Sequence, residues 1–202
     1  MNVYVESNFV LELALLQEQH ESCEKIIELS EAGKVKLILP AYSLIEPYET
    51  IVRFAKTRTK ISDDLRIEVN QLSRSKPYHE EIEALQKVMG FLVRSKDEEK
   101  VRLRSTIDRL LGGTEIIPLD AQNLSSASKY QVDHDLSPQD SIVYASVLQH
   151  LSASSTAAKC FLNRNSKDFD DPDIVDVLDK YGCKMLFSFI NGYGYITSQV
   201  GS

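Results

Sequence analysis

Five short apolar runs, separated by longer stretches of helical periodicity, constrain this chain more than any other feature. They are Val3-Tyr4-Val5 and residues 35–39, 115–119, 159–162 and 184–189. A continuous apolar run of this length suits a strand covered on both faces, as strands of parallel sheets are. Helices are predicted between them: 9–16 with Ser7 or Asn8 as cap, 20–32 stopped by Gly33, 43–58, 121–132, 138–151, and 173–181 stopped by Gly182. Strands alternating with helices imply an α/β fold, a three-layer α/β/α sandwich around a central parallel sheet. Two further helical stretches, 62–76 and 78–111, have no strand between them, and the second is expected to break at Gly90 or near Ser95. They read as a helical insertion or arm at about 60–112, within one domain spanning 1–202.

The 43% hydrophobic content supports a packed core. Glu6, Glu12 and Glu18 interrupt the apolar N-terminus, so neither a signal peptide nor a membrane span is expected. Cys23, Cys160 and Cys183 are odd in number and lack metal-site spacing, which points to reduced thiols in a cytoplasmic setting. A net charge of −7 argues against a protein that simply coats nucleic acid, but the charge is unevenly spread. Residues 51–113 hold 14 Lys/Arg against 10 Asp/Glu, and the remainder 9 against 20. A basic middle within an acidic body reads either as a solvated helical surface or as an arm that holds a polyanion near an acidic centre.

Four acidic residues fall where the carboxyl edge of such a sheet is expected, the edge at which open α/β sheets bind ligands. Glu6 follows the first strand, and Glu46 lies early in the helix after the second. Asp140 opens the helix at Pro138, and Asp168 follows the fourth strand. Each also has a local explanation. Glu6 suits a first helical turn. Ser43 and Glu46 have capping-box spacing. Ser137-Pro138-Gln139-Asp140 is a strong helix start. Asp168 belongs to an acid-rich loop with Asp170, Asp171 and Asp173. Four carboxylates on one edge would repel one another unless a divalent cation neutralised them.

The order of these elements resembles PIN domains. The motifs are Glu6-Ser7-Asn8 after strand one, Glu46 after strand two, Gln139-Asp140-Ser141-Ile142-Val143-Tyr144-Ala145, and Asn163-Arg164-Asn165-Ser166-Lys167-Asp168-Phe169 after strand four. They cover nearly the whole chain outside about 60–112. The resemblance implies a metal-dependent ribonuclease, possible as the toxin of a toxin–antitoxin pair, with Glu6, Glu46, Asp140 and Asp168 as catalytic residues holding Mg²⁺ or Mn²⁺. Asn8 would give polar support, and Asp170 or Asp171 would add a ligand. Two departures stand out: the first acid is Glu6 where the family usually has Asp, and the fourth motif lacks its usual Thr.

The chemistry implied is phosphodiester hydrolysis in RNA, with Arg53, Lys56, Arg58, Arg102 and Arg104 as phosphate contacts and Tyr42 or Tyr48 available to stack on a base. The alternative is a PIN-like protein that binds RNA or a protein partner without cutting. An antitoxin or a second copy of the chain would be its protein partners, and a membrane is not expected. Other machinery is missing from the sequence: no HExxH, no GxSxG, no phosphate-binding loop, and no Asp-x-Asp after strand one.

Overall fold

The computed structural model describes residues 1–156 and 158–201. Five parallel strands form one sheet in the order β3-β2-β1-β4-β5, with β1 Asn2–Val5, β2 Lys36–Pro40, β3 Glu115–Ile117, β4 Lys159–Leu162 and β5 Cys183–Leu186. Alternate side chains of each central strand enter opposite cores. Val3, Val5, Leu37, Leu39, Cys160 and Leu162 join the layer that includes Phe9, Ile26 and Phe189. Tyr4, Ile38 and Phe161 join the layer of Val143, Tyr144, Val147 and Leu178. Burial on both sides accounts for the unbroken apolar runs, and the architecture is the expected α/β/α sandwich.

The chain leaves β1 through α1 (Ser7–Leu15) and α2 (His20–Glu31), and β2 through α3 (Tyr42–Leu72). A short turn at Lys76–Tyr78 leads into α4 (His79–Gly113). After β3 come α5 (Ala121–Asp133) and α6 (Pro138–Ala153). Following β4 are α7 (Ser166–Phe169) and α8 (Pro172–Lys180), and α9 (Phe189–Val200) closes the chain. From β1 the chain builds outward to β2 and β3, then crosses back to place β4 on the other side of β1. The crevice of an open parallel sheet lies at such a reversal, here beyond the ends of β1 and β4.

The helical arm differs from its expected form. No break separates residues 58 and 62, and α4 runs unbroken through Gly90 and Ser95. In the polar stretch of α3 the hydroxyls of Thr57 and Thr59 donate back to the carbonyls of Arg53 and Ala55, and packing against α4 keeps the stretch helical. Ala55, Ser62 and Val69 recur every seven residues as a narrow buried seam against α4. Arg58 crosses that seam to Glu99 at 2.6 Å, and Leu103, Ile107 and Leu110 anchor the far half of α4 in the main core. At 31 and 35 residues the two helices are about 46 and 52 Å long.

The C-terminus also departs from expectation. The last strand stops at Leu186, and α9 follows, capped by Ser188 on its own side and by the Gln19 side chain, whose oxygen accepts from the amides of Phe189 and Ile190. Gly192 lets α9 lie against β4: a Cβ there would stand 2.7 Å from the buried Leu162 side chain. Among the described residues no helix is long and apolar enough to cross a membrane.

Candidate functional site

A cavity of about 670 Å³ opens at the carboxyl ends of β1 and β4, and Glu6, Glu46 and Asp140 all line it. Glu6 is the N-cap of α1, a role expected of Ser7 or Asn8. Its backbone is extended, and its Oε2 accepts from the Asn8 amide at 2.8 Å. The carboxylate is therefore turned inward and is almost wholly buried. Its second oxygen, Oε1, is buried and has no hydrogen-bond partner among the described residues.

Glu46 is held differently from its expected capping role. Helix α3 begins one residue early, at Tyr42, with Ala41 as N-cap and no side-chain cap. Ser43 buries its hydroxyl, which finds no partner among the described residues. Glu46 instead accepts from the hydroxyl of Ser7, which ties α3 to the start of α1. The capping box does not form, so capping does not explain this carboxylate.

Asp140 does lie in the predicted helix start. Its amide donates to Ser137 Oγ at 3.1 Å, and the Ser137 hydroxyl donates to Asp140 Oδ2 at 2.6 Å. Its other oxygen receives the Asn165 side-chain amide at 3.2 Å, and the same amide reaches Asp168 Oδ2 at 2.7 Å. Asp168 sits on α7, behind Asn165 and off the cavity wall. Asn165 is thus the link between the two aspartates, a role that sequence spacing gave no reason to assign to it.

The electrostatics follow from this geometry. Burial first, and then the charges of Glu46 and Asp140, push the Glu6 carboxyl up to about 8 against the pull of Asn8. Burial also raises Glu46, with Asp140 and Glu49 adding to it and Ser7 and Arg53 opposing. Asp140 is raised by burial and by Asp168, with Ser137 and Asn165 opposing. Glu46 and Asp140 thus each make the ionised form of a neighbouring wall carboxylate less favourable. Arg53 and Arg164 also face the cavity. Arg164 is already paired with the fully buried Glu12 of α1, whose other oxygen accepts the Gln19 amide at 2.8 Å.

These residues suit a hard divalent cation. The donors are all oxygen, one of them buried and unpartnered, in a site with excess negative charge. Among the described residues no three His, Cys, Asp or Glu side chains form a ready cage. Mg²⁺ needs none, since it is commonly held through one or two carboxylates and completes its shell with water.

The remaining candidates fall in different places. Asn8 lines the cavity and Arg53 stands on its wall. Lys56 lies farther along α3, in the neighbouring grooves. Arg58 is committed to Glu99 and Ser95, and Arg102 donates to the carbonyl of Ala14 at 2.9 Å. Arg104 is on α4, away from the cavity. Asp171 is the N-cap of α8, accepting from the Asp173 amide at 2.8 Å, and Asp170 is exposed just beyond α7. Neither lines the cavity. Tyr42 packs on the core, while Tyr48 is exposed.

No curated protein matches the chain. A family model described as PIN domain matches residues 3–169, from the first strand through Phe169 of α7. The chain belongs to the PIN domain family, whose members are generally nucleases that bind RNA and typically use divalent metals.

Proposed function

We propose that this chain is a divalent-metal-dependent endoribonuclease whose site is the cavity of Glu6, Glu46 and Asp140. The observation that carries the reading is the cavity wall, which brings together Glu46, Asp140 and Glu6, whose buried Oε1 has no hydrogen-bond partner among the described residues. An uncompensated acceptor of this kind is costly unless something positive completes it. Glu6 and Asp140 would hold Mg²⁺ or Mn²⁺, with Asp168 acting on Asp140 through Asn165. A cation held there supplies charge neutralisation at the scissile phosphate and acidifies a water. Glu46, raised by burial and braced by Ser7, accepts the proton of the attacking water. Arg53 at the rim receives a phosphate oxygen.

Purified protein incubated with Mn²⁺ and mixed-sequence RNA tests this reading. Cleavage that is lost with chelator and in Asp140→Asn supports it, and cleavage that survives Asp140→Asn and Asp168→Asn sinks the assignment. One observation favours the rival reading of a PIN-like protein that binds RNA or a protein partner without cutting: Glu6 uses an oxygen as the cap of α1. Under that reading Mn²⁺ fails to bind in calorimetry. The toxin-like version predicts that expressing the wild-type chain arrests growth while Asp140→Asn does not, and that a co-expressed antitoxin relieves the arrest.

A further inference from the structure

The cavity does not end at its own rim. Arg53 also lines a second groove, with Tyr48, Val52 and Lys56, and Val52 and Lys56 line a third. The third groove, of about 400 Å³, lies between α3 and α4. Lys56 and Lys60 form one wall and Lys96 and Lys100 the other, with no carboxylate on either. Successive positions explain the alignment: 56 and 60 are one helical turn apart on α3, as are 96 and 100 on α4. Among the described residues none of these four lysines makes an ion pair, although ten acidic residues lie in the same part of the sequence. Glu49, on the wall of the second groove, is the carboxylate along the way.

We infer that this lysine groove is a binding site for the backbone of a single-stranded RNA, which runs from it past Arg53 into the carboxylate cavity. Three observations favour a single strand. The grooves share residues and so form one path, about 20 Å long from Glu46 to Lys60 along α3. Five of the fourteen Lys/Arg of residues 51–113 line that path, and among the described residues Glu49 is the one carboxylate beside them outside the cavity. Tyr48 and Phe54, both exposed, stand beside Arg53 where unpaired bases can stack. A basic groove flanked by aromatic faces is the general form of a single-strand site. The direction of the path rests on the nuclease reading, whereas the binding does not.

The test is fluorescence anisotropy in chelator, with a labelled mixed-sequence oligoribonucleotide bound to the full chain and to K60Q/K96Q/K100Q. Each phosphate neutralised on a single strand contributes a slope of about 0.7 to the logarithmic salt dependence. Removing three charges lowers that slope by roughly 2, and lowers affinity at 0.1 M salt on the order of 100-fold. A di- or trinucleotide too short to reach Lys60 is cut by the triple variant at the wild-type rate. Unchanged affinity and slope overturn the proposal. Equal binding of duplex RNA overturns the single-strand assignment. Competition by polyglutamate at matched charge as effective as that by RNA reassigns the groove to an acidic protein. Binding without any cleavage refutes the nuclease reading and leaves this one standing.

Discussion

Arg164→Met is the most informative single perturbation of the site's frame. Glu12 is fully buried on α1, and its carboxylate has two polar partners: the Gln19 amide and the Arg164 guanidinium. Methionine retains much of the apolar stem and removes the charge, leaving the buried Glu12 carboxyl with one hydrogen bond and no cation. Exposed ion pairs contribute about 0–1 kcal/mol, whereas removing one partner of a buried pair costs about 3–5 kcal/mol. Arg164 is about a third exposed and Glu12 not at all, so the penalty belongs to the low end of that range, about 3 kcal/mol. Glu18, 3.6 Å from Arg164 but 84% exposed, does not alter the sum. For a chain of this size the loss lowers Tm by roughly 6–12 °C. Urea unfolding of Arg164→Met, Glu12→Leu and the double variant gives the coupling directly. The double variant recovers about 2 kcal/mol over the sum of the singles. A cost below about 1 kcal/mol for Arg164→Met, or simple additivity, refutes the argument.

Two further predictions concern the carboxylates. In chelator, the folded chain holds the Glu6 proton up to about 8 against an ordinary 4.5. Its contribution to stability is therefore fully present below pH 4.5 and lost as pH rises through about 8, a difference of about 5 kcal/mol. Glu46 and Asp140, also raised, act in the same direction. Glu6→Gln flattens the profile of urea midpoints between pH 5 and 8 and Mn²⁺ lifts its upper end; an identical slope in wild type and variant contradicts the assignment. Separately, Ser7→Ala and Asn165→Ala leave every proposed ligand in place but remove the groups that orient Glu46 and Asp140. Asn165→Ala weakens Mn²⁺ binding by about 10- to 100-fold in calorimetry, whereas Ser7→Ala slows RNA cleavage and leaves Mn²⁺ affinity unchanged; unchanged affinity in the first or an unchanged rate in the second would count against an orienting role.

The sheet was legible because its strands are covered on both faces, which leaves a compositional mark that a solvent-facing strand would lack. The helix start that carries Asp140 was legible for a local reason, since Ser137 and Pro138 fix it. Glu46 shows the limit of local spacing. Ser43 and Glu46 match a capping box, yet the helix starts at Tyr42 and the partner that matters is Ser7, 39 positions away. Arg164 and Glu12 are 152 positions apart, and nothing in either neighbourhood announces the other. Helix α9 was not expected from the sequence: Gly192 and Gly194 lower its intrinsic helix propensity, although Gly192 is there to admit Leu162. The arm was divided too finely because Thr57 and Thr59 weaken helix propensity, while the seam against α4 overrides it.

Helix α3 carries Glu46 in its second turn and Lys60 four turns on, without interruption. The angular phase between the cavity and the lysine face is therefore set by residue count alone. One residue added to the exposed stretch, matched by one in α4, turns everything beyond it by about 100° and moves it only about 1.5 Å outward. Seven added residues nearly restore the original facing while lengthening the arm by about 10 Å. Arms of related length can thus keep the groove aligned with the carboxylates only in steps of about a heptad, and the reach of the arm is quantised by the pitch of the helix that bears it.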